Sequence, residues 1–315
     1  MKSLHYIFLF GLILLLFSCK KFKGSQEVPA YVRIEPWTLD ANNGYDGEGA
    51  LTNGIIDAWL YVNGNFQGCY EMKKHDDGVY AQIPVLEEGE KNLQFYPGIK
   101  MNSISSTRIQ YPFYEPYRIK NTFVPGEVEV IRPVTRYYHV DSSYIKFRME
   151  DFEEINNISL TSLDTTYAEL HQISHRSDTN DWIDPHNLAD SISHYRSGHV
   201  HLADSTLKFW QQSPYLTDLP SDGRSSIFLE IDYKCTSDFL VGLLVRSPQD
   251  GLIEKQLVYL KATDIWKKAY INFTPTVIEN YNASYFRYYL RGGILEGDSA
   301  DYYFDNIKLV YNLLN

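Results

Sequence analysis

The sequence predicts an all-β protein in which an N-terminal immunoglobulin-like antiparallel β-sandwich is followed by a β-jelly-roll domain. Three observations support this prediction. Aromatic residues make up 15% of the chain, 26 residues of which are tyrosine, and such side chains suit pleated, half-buried strands. Short segments of alternating apolar and polar residues recur between turn residues. No long segment repeats its apolar residues with the 3.6-residue period of an amphipathic helix.

The first 18 residues predict the signal peptide of a bacterial lipoprotein. Lys2 supplies a positive N-terminal region, and residues 7–17 are apolar or glycine but too few to cross ~30 Å of hydrocarbon as a helix. Ser18 and Cys19 then resemble a lipobox, which implies cleavage before Cys19 and acylation of that cysteine, as with palmitate. The alternative is an ordinary secretory signal in which the cysteine occurs by chance.

Residues 19–29 are predicted to tether the protein to a lipid bilayer through the acylated Cys19. Several acyl chains anchor a protein stably because each buried CH₂ contributes ~0.8 kcal/mol. The predicted location is the outer membrane, with the cell surface favoured over the periplasmic face. Lys20, Lys21 and Lys23 replace the acidic cluster that surface-exported lipoproteins of Bacteroidota often carry, so the sequence leaves both faces open.

Residues 30–140 carry the pattern of the sandwich domain. Asn63 and Gly64 separate the strand-like residues 55–62 and 66–71, and this pair predicts a tight hairpin because both turn positions favour positive φ. Further strands of this domain are predicted at residues 93–96, 107–111, 117–123 and 127–134.

Residues 141–315 carry the pattern of the jelly roll, because alternating segments recur there at a spacing that suits two packed sheets. These segments are residues 226–233, 239–245, 256–260, 269–273, 286–291 and 302–311. Residues 164–198, in contrast, are polar and aperiodic, and they predict a long loop or insertion within this domain.

Three motifs of the second domain resemble those of galactose-binding-like jelly rolls, the fold of many carbohydrate-binding modules. They are residues 149–153 (MEDFE), 266–273 (WKKAYINF) and 304–309 (FDNIKL). The resemblance implies that Asp151 and Asp305 could meet near a structural calcium ion. Two surface or turn aspartates are the favoured alternative.

The whole chain is similar to a family of Bacteroidota outer-membrane lipoproteins of poorly assigned role. The similarity lies in the lipobox, in residues 96–100 (YPGIK) and in residues 107–114 (TRIQYPFY). The breadth of that family implies a general role at the outer membrane, for which assembly or export of outer-membrane proteins is the specific expectation.

Composition and motifs narrow the function classes. A net charge of −11 argues against a nucleic-acid partner, because phosphates require a concentrated basic surface. The chain lacks a GxSxG motif and a Cys/His spacing typical of a zinc site, and no catalytic acid–base pair can be placed. The sequence therefore predicts no enzyme, no catalytic residue, no cofactor and no metal site.

Histidines are concentrated between residues 171 and 201, where six of the nine occur. They are His171, His175, His186, His194, His199 and His201. His199 and His201 would share one face of a strand, so metal binding is conceivable, but no carboxylate lies at a suitable spacing in the sequence. Solvated loop histidines are the favoured interpretation.

Aromatic side chains are the candidate interaction residues. Tyrosine and tryptophan are enriched at protein interfaces and stack on sugars, although core packing is the first explanation for about half of them. The candidates are Tyr111, Phe113, Tyr114 and Tyr117, which crowd one proline-containing segment, and Trp182 and Trp210, which are interpreted as exposed sugar platforms.

The resulting hypothesis is a non-enzymatic outer-membrane lipoprotein that acts as an interaction or scaffold subunit of a membrane protein complex. Its partners would be an outer-membrane β-barrel or other lipoproteins. The alternative hypothesis is a cell-surface lipoprotein that binds glycans through the aromatic residues of the jelly roll.

Overall fold

The computed structural model describes residues 28–42, 48–85, 89–138, 145–154, 157–174, 196–203 and 207–313. Over these segments 61% of the residues are in β-strands and 2% are helical, and the predicted all-β class is confirmed. The predicted signal peptide, Cys19 and most of the tether lie outside the described residues. Within the described segments, no helix is long and apolar enough to cross a membrane.

The N-terminal domain is a sandwich of two sheets. Its strands are β1 (Ala30–Ile34), β2 (Thr38–Leu39), β3 (Asp57–Val62), β4 (Asn65–Glu71), β5 (Lys73–His75), β6 (Gly78–Val85), β7 (Gly89–Lys100), β8 (Arg108–Gln110), β9 (Tyr117–Phe123), β10 (Val128–Ile131) and β11 (Val134–Thr135). One sheet has the order β10-β1-β6-β5, and the other has the order β4-β3-β7-β8 with β9 also paired to β7. Alternate residues of both sheets form the core between them.

The predicted hairpin is confirmed. Asn63 and Gly64 have φ values of 49° and 82°, and Val62 pairs with Asn65 on the other side of the turn. These dihedral angles match the type I′ turn, whose twist suits two antiparallel strands.

The sequence predicts a purely antiparallel sandwich, but the structure also contains two parallel strand pairs. Strand β10 pairs with β1 in parallel, and β11 pairs with β2 in parallel. These pairs are parallel because the segment β10–β11 returns, after strands β3 to β9, to lie beside the segment β1–β2 and runs in the same direction.

The second domain is a two-sheet jelly roll. Its elements are β12 (Ile145–Glu150), β13 (Thr161–Ser162), β14 (His171–Ser174), β15 (Arg196–Ala203), β16 (Lys208–Gln212), β17 (Ile227–Cys235), β18 (Phe239–Ser247), β19 (Gly251–Leu260), β20 (Thr263–Asn272), α1 (Thr274–Glu279), β21 (Phe286–Gly293) and β22 (Ser299–Asn312). The six-stranded sheet has the order β14-β15-β22-β17-β20, with β12 also paired to β22, and the five-stranded sheet has the order β13-β16-β21-β18-β19. A large apolar core fills the space between the sheets.

A buried polar cluster, which we call the interdomain network, joins the two domains. Glu230 of β17 is fully buried and accepts hydrogen bonds from the hydroxyls of Tyr111 and Tyr137 at 2.7 and 2.9 Å. The Nζ atom of Lys268 lies 3.2 Å from Glu230 Oε2. Burying a charge is costly unless it is paired and hydrogen-bonded, and Glu230 meets both conditions through groups from both domains.

The same interface continues around Tyr270 of β20. Its hydroxyl accepts a hydrogen bond from the backbone N–H of Gly54 at 2.9 Å and lies 3.3 Å from the hydroxyl of Tyr114. Tyr270 also packs in the apolar core of the N-terminal domain, together with Phe228 and Val310 of the jelly roll. The core of the N-terminal domain therefore includes residues of the jelly roll, and the two domains are joined by packing as well as by the chain between them.

Candidate functional site

The outer face of the five-stranded sheet carries an apolar cluster of its own. Trp210, Leu240, Leu244 and Tyr289 are buried there, while their sequence neighbours point into the domain core on the other face. Side chains alternate between the two faces of a strand, so β16, β18 and β21 each contribute to both clusters. An apolar cluster on the solvent side of a sheet is the feature that marks this face as a candidate site.

Two aromatic rings form the floor of this face. Trp210 and Tyr289 stack with their centroids 4.6 Å apart and an interplanar angle of 21°. Gly242 makes this arrangement possible, because a Cβ atom at that position would collide with the Tyr289 hydroxyl and the carbonyl of Lys255. The guanidinium carbon of Arg291 lies 4.9 Å from the centre of the Trp210 ring, which is a cation–π distance.

A charged pair lies beside the stacked rings. Glu254 Oε1 accepts a hydrogen bond from the Tyr289 hydroxyl at 2.9 Å and lies 3.0 Å from Nη1 of Arg291. Burial and the neighbouring Glu254 carboxylate raise the pKa of Tyr289, so its hydroxyl remains a hydrogen-bond donor at neutral pH. About a third of each charged side chain is exposed, which leaves polar atoms available to a ligand.

Trp210, Leu240 and Arg291 border a cavity of about 520 Å³, here called the outer groove, whereas Tyr289 and Glu254 are not part of its lining. Its lining includes Tyr167, Lys208, Trp210, Leu240, Tyr259 and Arg291. Tyr259 is 61% exposed at the edge of the groove, and the ammonium group of Lys208 lies 4.5 Å from the centre of the Tyr167 ring. The Nε1 atom of Trp210 is buried and has no hydrogen-bond partner among the described residues.

A second cavity of about 460 Å³ lies between the two domains. Thr52 and Lys100 of the N-terminal domain line it, together with Trp266 and Lys268 of β20. Tyr259 borders this interdomain cleft as well as the outer groove. The exposed Tyr259 ring thus stands on the ridge that separates the two cavities.

The structure corrects the prediction that Tyr111, Phe113 and Tyr114 are surface interaction residues. These side chains are only 1–2% exposed. Rings from the jelly roll cover them: the ring centroids of Phe228 and Tyr270 lie 5.4 and 4.8 Å from that of Tyr111. They are interface core residues between the domains.

The remaining three aromatic candidates have different outcomes. Tyr117 is half-buried against the core of the N-terminal domain. Trp210 is only 7% exposed, so it is not an exposed platform, because Tyr289 and Arg291 lie against its ring. Trp182 lies outside the described residues. Trp210 still belongs to the outer groove, as part of its floor.

Sequence reasoning missed the roles of Tyr259, Arg291 and Glu254. The alternation within β21 indicates that Tyr289 and Arg291 share one face, and this signal was available in the sequence. The sequence carried no such signal for Glu254. The position of Glu254 near Tyr289 and Arg291 depends on the pairing of β19 with β18 and of β18 with β21.

Around Asp305, where the resemblance to galactose-binding-like jelly rolls implies a calcium ion, the structure has buried oxygen atoms that suit a cation. Asp305 is completely buried, so it is not a surface aspartate, and its Oδ1 atom has no hydrogen-bond partner among the described residues. The neighbouring Asn306 Oδ1 atom is also buried without a partner there. Burial and the nearby Asp232 carboxylate raise the pKa of Asp305 well above its usual value, with smaller contributions from Glu153 and Asp151. Buried oxygen atoms of this kind are the ligands that calcium prefers.

Comparisons with known proteins give structural likenesses only. No family model matches the chain, and no curated protein matches it, so membership of the Bacteroidota lipoprotein family stays a prediction. One similar solved structure addresses the promiscuous specificity of carbohydrate-binding modules from the β-sandwich superfamily. It shares 9% identity with this chain, the match covers 89% of this chain and 98% of that chain, and the TM-score is 0.36. The C-terminal family 22 carbohydrate-binding module of Clostridium thermocellum Xyn10B shares 13%, with 52% and 91% covered and a TM-score of 0.34.

A third similar structure is the enzymatically active domain of tailspike protein 4 from bacteriophage CBA120, at 12% identity and a TM-score of 0.34. The match covers 50% of this chain, and this chain spans only 20% of the tailspike domain. The solved structures similar to this chain thus include carbohydrate-binding modules. All of these TM-scores are below 0.5, so the ligand of this protein has to be argued from its own residues.

Proposed function

We propose that this protein binds carbohydrate chains without cleaving them, through the outer groove of the jelly roll. The observation that carries the proposal is a cavity lined by Trp210, Arg291 and the exposed ring of Tyr259. Outside this lining, Tyr289 stacks on Trp210 and Glu254 pairs with Arg291. Ligand pockets combine apolar and aromatic walls with a few polar groups that fix orientation.

Sugars present both an apolar C–H face and a rim of hydroxyl groups, and the outer groove matches both. The exposed Tyr259 ring can stack on the C–H face of a sugar. Arg291 lines the groove and can donate hydrogen bonds to the hydroxyl groups, and hydrogen bonds to charged groups are stronger than neutral ones.

The acidic groups of the groove are suited to binding more than to hydrolysis. A glycosidase needs a carboxylic acid with a raised pKa opposite a second carboxylate. Asp238 lines the groove, but the hydrogen bond from Lys261 at 2.6 Å lowers the pKa of Asp238. Glu254 pairs with Arg291 and accepts a hydrogen bond from Tyr289, and it does not line the groove.

Removing Arg291 or Tyr259 is expected to weaken glycan binding. A microarray of soluble polysaccharides would identify the ligand, and isothermal titration calorimetry would then compare the variants. Arg291→Ala is expected to raise the Kd at least tenfold, because a hydrogen bond to a charged group contributes about 1.5–3 kcal/mol. Tyr259→Ala is expected to raise it about fivefold through loss of stacking.

Tyr281→Ala provides the matched control, because Tyr281 is 73% exposed in the same domain and does not line the groove. The Kd of the Tyr281→Ala variant for the glycan should equal that of the wild type. A folded protein that binds no polysaccharide on the array, or equal losses in Tyr281→Ala and Tyr259→Ala, would contradict the proposal. Trp210→Ala is a poorer test, because truncating a buried tryptophan destabilises a domain by about 3–5 kcal/mol.

We further propose that acylation of Cys19 holds these domains at the outer membrane, with the cell surface as the favoured face. Cys19→Ala is expected to abolish labelling by radioactive palmitate and to release the protein from the membrane fraction. Cys69→Ala is the control, because Cys69 is a free cysteine within the folded domain and should leave both readouts unchanged. Palmitate labelling that persists in Cys19→Ala would show that the lipid lies elsewhere.

No feature of the described surface favours the scaffold role over glycan binding. That hypothesis rests on the breadth of the resembled lipoprotein family, and three of its candidate interaction residues, Tyr111, Phe113 and Tyr114, are covered by the jelly roll.

A further inference from the structure

The histidines at the start and end of the predicted insertion are not in a loop. His171 lies in β14, the outermost described strand on one side of the six-stranded sheet, and His199 and His201 lie in β15, between β14 and β22. His175, His186 and His194 lie outside the described residues. The ladder between β15 and β22 places Asp301 directly opposite His201, which supplies the carboxylate that the local sequence lacked.

Both imidazoles point at one carboxylate oxygen. His199 Nε2 and His201 Nδ1 each lie 2.8 Å from Asp301 Oδ1, and the three potential ligand atoms lie within 4.8 Å of one another. Tetrahedral zinc with bonds of about 2.0–2.1 Å holds its ligand atoms about 3.3 Å apart. Small side-chain rotations would therefore bring all three atoms onto one ion.

The surroundings of the cluster hold it in place. The ring of His199 stacks on Tyr303 with centroids 4.5 Å apart and an interplanar angle of 8°. The backbone N–H of Asp301 donates a hydrogen bond to the hydroxyl of Thr236 at 2.9 Å.

A fourth ligand is available from the neighbouring strand. His171 is the register partner of His199 in the antiparallel pair of β14 and β15. Directly opposite residues in such a pair project from the same face with Cβ atoms about 4.5–5.5 Å apart. His171 is exposed, so its ring is free to turn toward the cluster.

We propose that His199, His201 and Asp301, with His171 as fourth ligand, bind a transition-metal ion of the zinc class on the outer face of the six-stranded sheet. Imidazole ligands favour zinc, copper or nickel over calcium and magnesium, which prefer oxygen ligands. This histidine site lies on the sheet opposite the outer groove, so it does not depend on the proposed glycan binding. A bound ion would fasten the edge strand β14 to β15 and β22.

Isothermal titration calorimetry of the purified protein with zinc chloride tests the proposal. The wild type is expected to bind one zinc ion at this site, and His199→Ala, His201→Ala and Asp301→Asn are each expected to raise the Kd for zinc at least tenfold. His171→Ala should have a smaller effect of severalfold. X-ray absorption at the zinc edge should show imidazole ligands at about 2.0–2.1 Å.

Three controls keep the test decisive. His75→Ala changes a histidine that stacks on Tyr80 in the other domain and should leave zinc binding unchanged, and so should joint replacement of His175, His186 and His194 by alanine. Circular dichroism without zinc should show that the variants fold, as expected for His201, whose side chain is 55% exposed.

The opposite results would overturn the proposal. The first is a wild type that binds no zinc at millimolar concentration. The second is a triple histidine variant that loses zinc affinity while His199→Ala and His201→Ala do not. The third is displacement of the zinc by a hundredfold excess of calcium. The last result would point to oxygen ligands in place of imidazole.

Discussion

Replacing Glu230 with alanine is expected to lower the free energy of unfolding by about 3–5 kcal/mol, the usual cost of removing one partner from a buried ion pair. The side chain of Lys268 is only 2% exposed, and in this variant it would lose its closer carboxylate. The hydroxyls of Tyr111 and Tyr137 would lose their acceptor as well. Guanidinium denaturation followed by tyrosine fluorescence would measure the change.

The shared interface adds a qualitative signature to this experiment. Because the interdomain network joins both domains, the wild type is expected to unfold in one calorimetric transition, whereas Glu230→Ala should separate the transitions of the two domains. Glu90→Ala is the control, because Glu90 pairs with Lys120 where both side chains are 58% exposed, and such a pair contributes about 0–1 kcal/mol. Equal stability losses in both variants would contradict the role of the network.

Glu230 and Lys268 should also be energetically coupled. The Glu230→Ala/Lys268→Ala double variant is expected to lose less stability than the two single variants together, because the second substitution removes the charge that the first leaves unpaired. Additive losses would show that the two residues act independently. This cycle separates the ion pair from the packing effects of truncation.

Alkaline pH is expected to unfold the protein sharply above about pH 10. Burial, together with the nearby Glu230 carboxylate, raises the pKa values of Tyr111, Tyr114 and Tyr137 well above the usual value of 10. Between pH 10 and those raised values, only the unfolded chain releases the phenolic protons. Stability therefore falls as pH rises, by about 1.4 kcal/mol per pH unit for each tyrosine.

Lys308 gives the opposite slope at lower pH. Burial and the nearby Lys268 lower the pKa of Lys308 to about 8, so between pH 8 and 10 the folded state has already released a proton that the unfolded chain keeps. Stability from this group rises over that range. Burial raises the pKa values of Cys69 and Cys235 from 9 to about 11, so above pH 9 only the unfolded chain releases these two thiol protons and stability falls. The net expectation is a maximum near pH 9, followed by a loss that steepens above pH 10.

Denaturant midpoints at half-unit steps from pH 7 to 11.5 would reveal this curve, while tyrosinate absorbance near 295 nm reports ionisation. Tyr114→Phe should make the loss above pH 10 shallower, because it removes one buried phenol without removing a donor to Glu230. Tyr281→Phe changes an exposed phenol and should leave the slope unchanged. Tyrosinate absorbance that reaches its full value before the protein unfolds would refute the argument.

Much of the fold could be predicted from local sequence. The pair of Asn63 and Gly64 specifies its turn through two positive φ values, and short apolar or alternating runs identify β17, β18, β21 and β22 as strands of the jelly roll. These signals are local, since each depends on a few neighbouring residues.

The sites depended on contacts that local sequence does not carry. Tyr111 and Phe113 have the composition of a surface cluster, but their burial is decided by Phe228 and Tyr270, more than a hundred residues away. Asp301 is likewise about a hundred positions from His199 and His201, and only the pairing of β15 with β22 brings them together. Spacing within one segment could not reveal either arrangement.

The position of β22 has a consequence for synthesis of the chain. This strand follows every other described strand, yet it lies inside its sheet, where it pairs with β12, β15 and β17. On the ribosome these three strands emerge before their shared neighbour exists, so their edges stay unpaired and open to aggregation. The jelly roll can therefore close only after β22 has been made, and a nascent chain that stops before Ser299 would have no central strand around which to assemble.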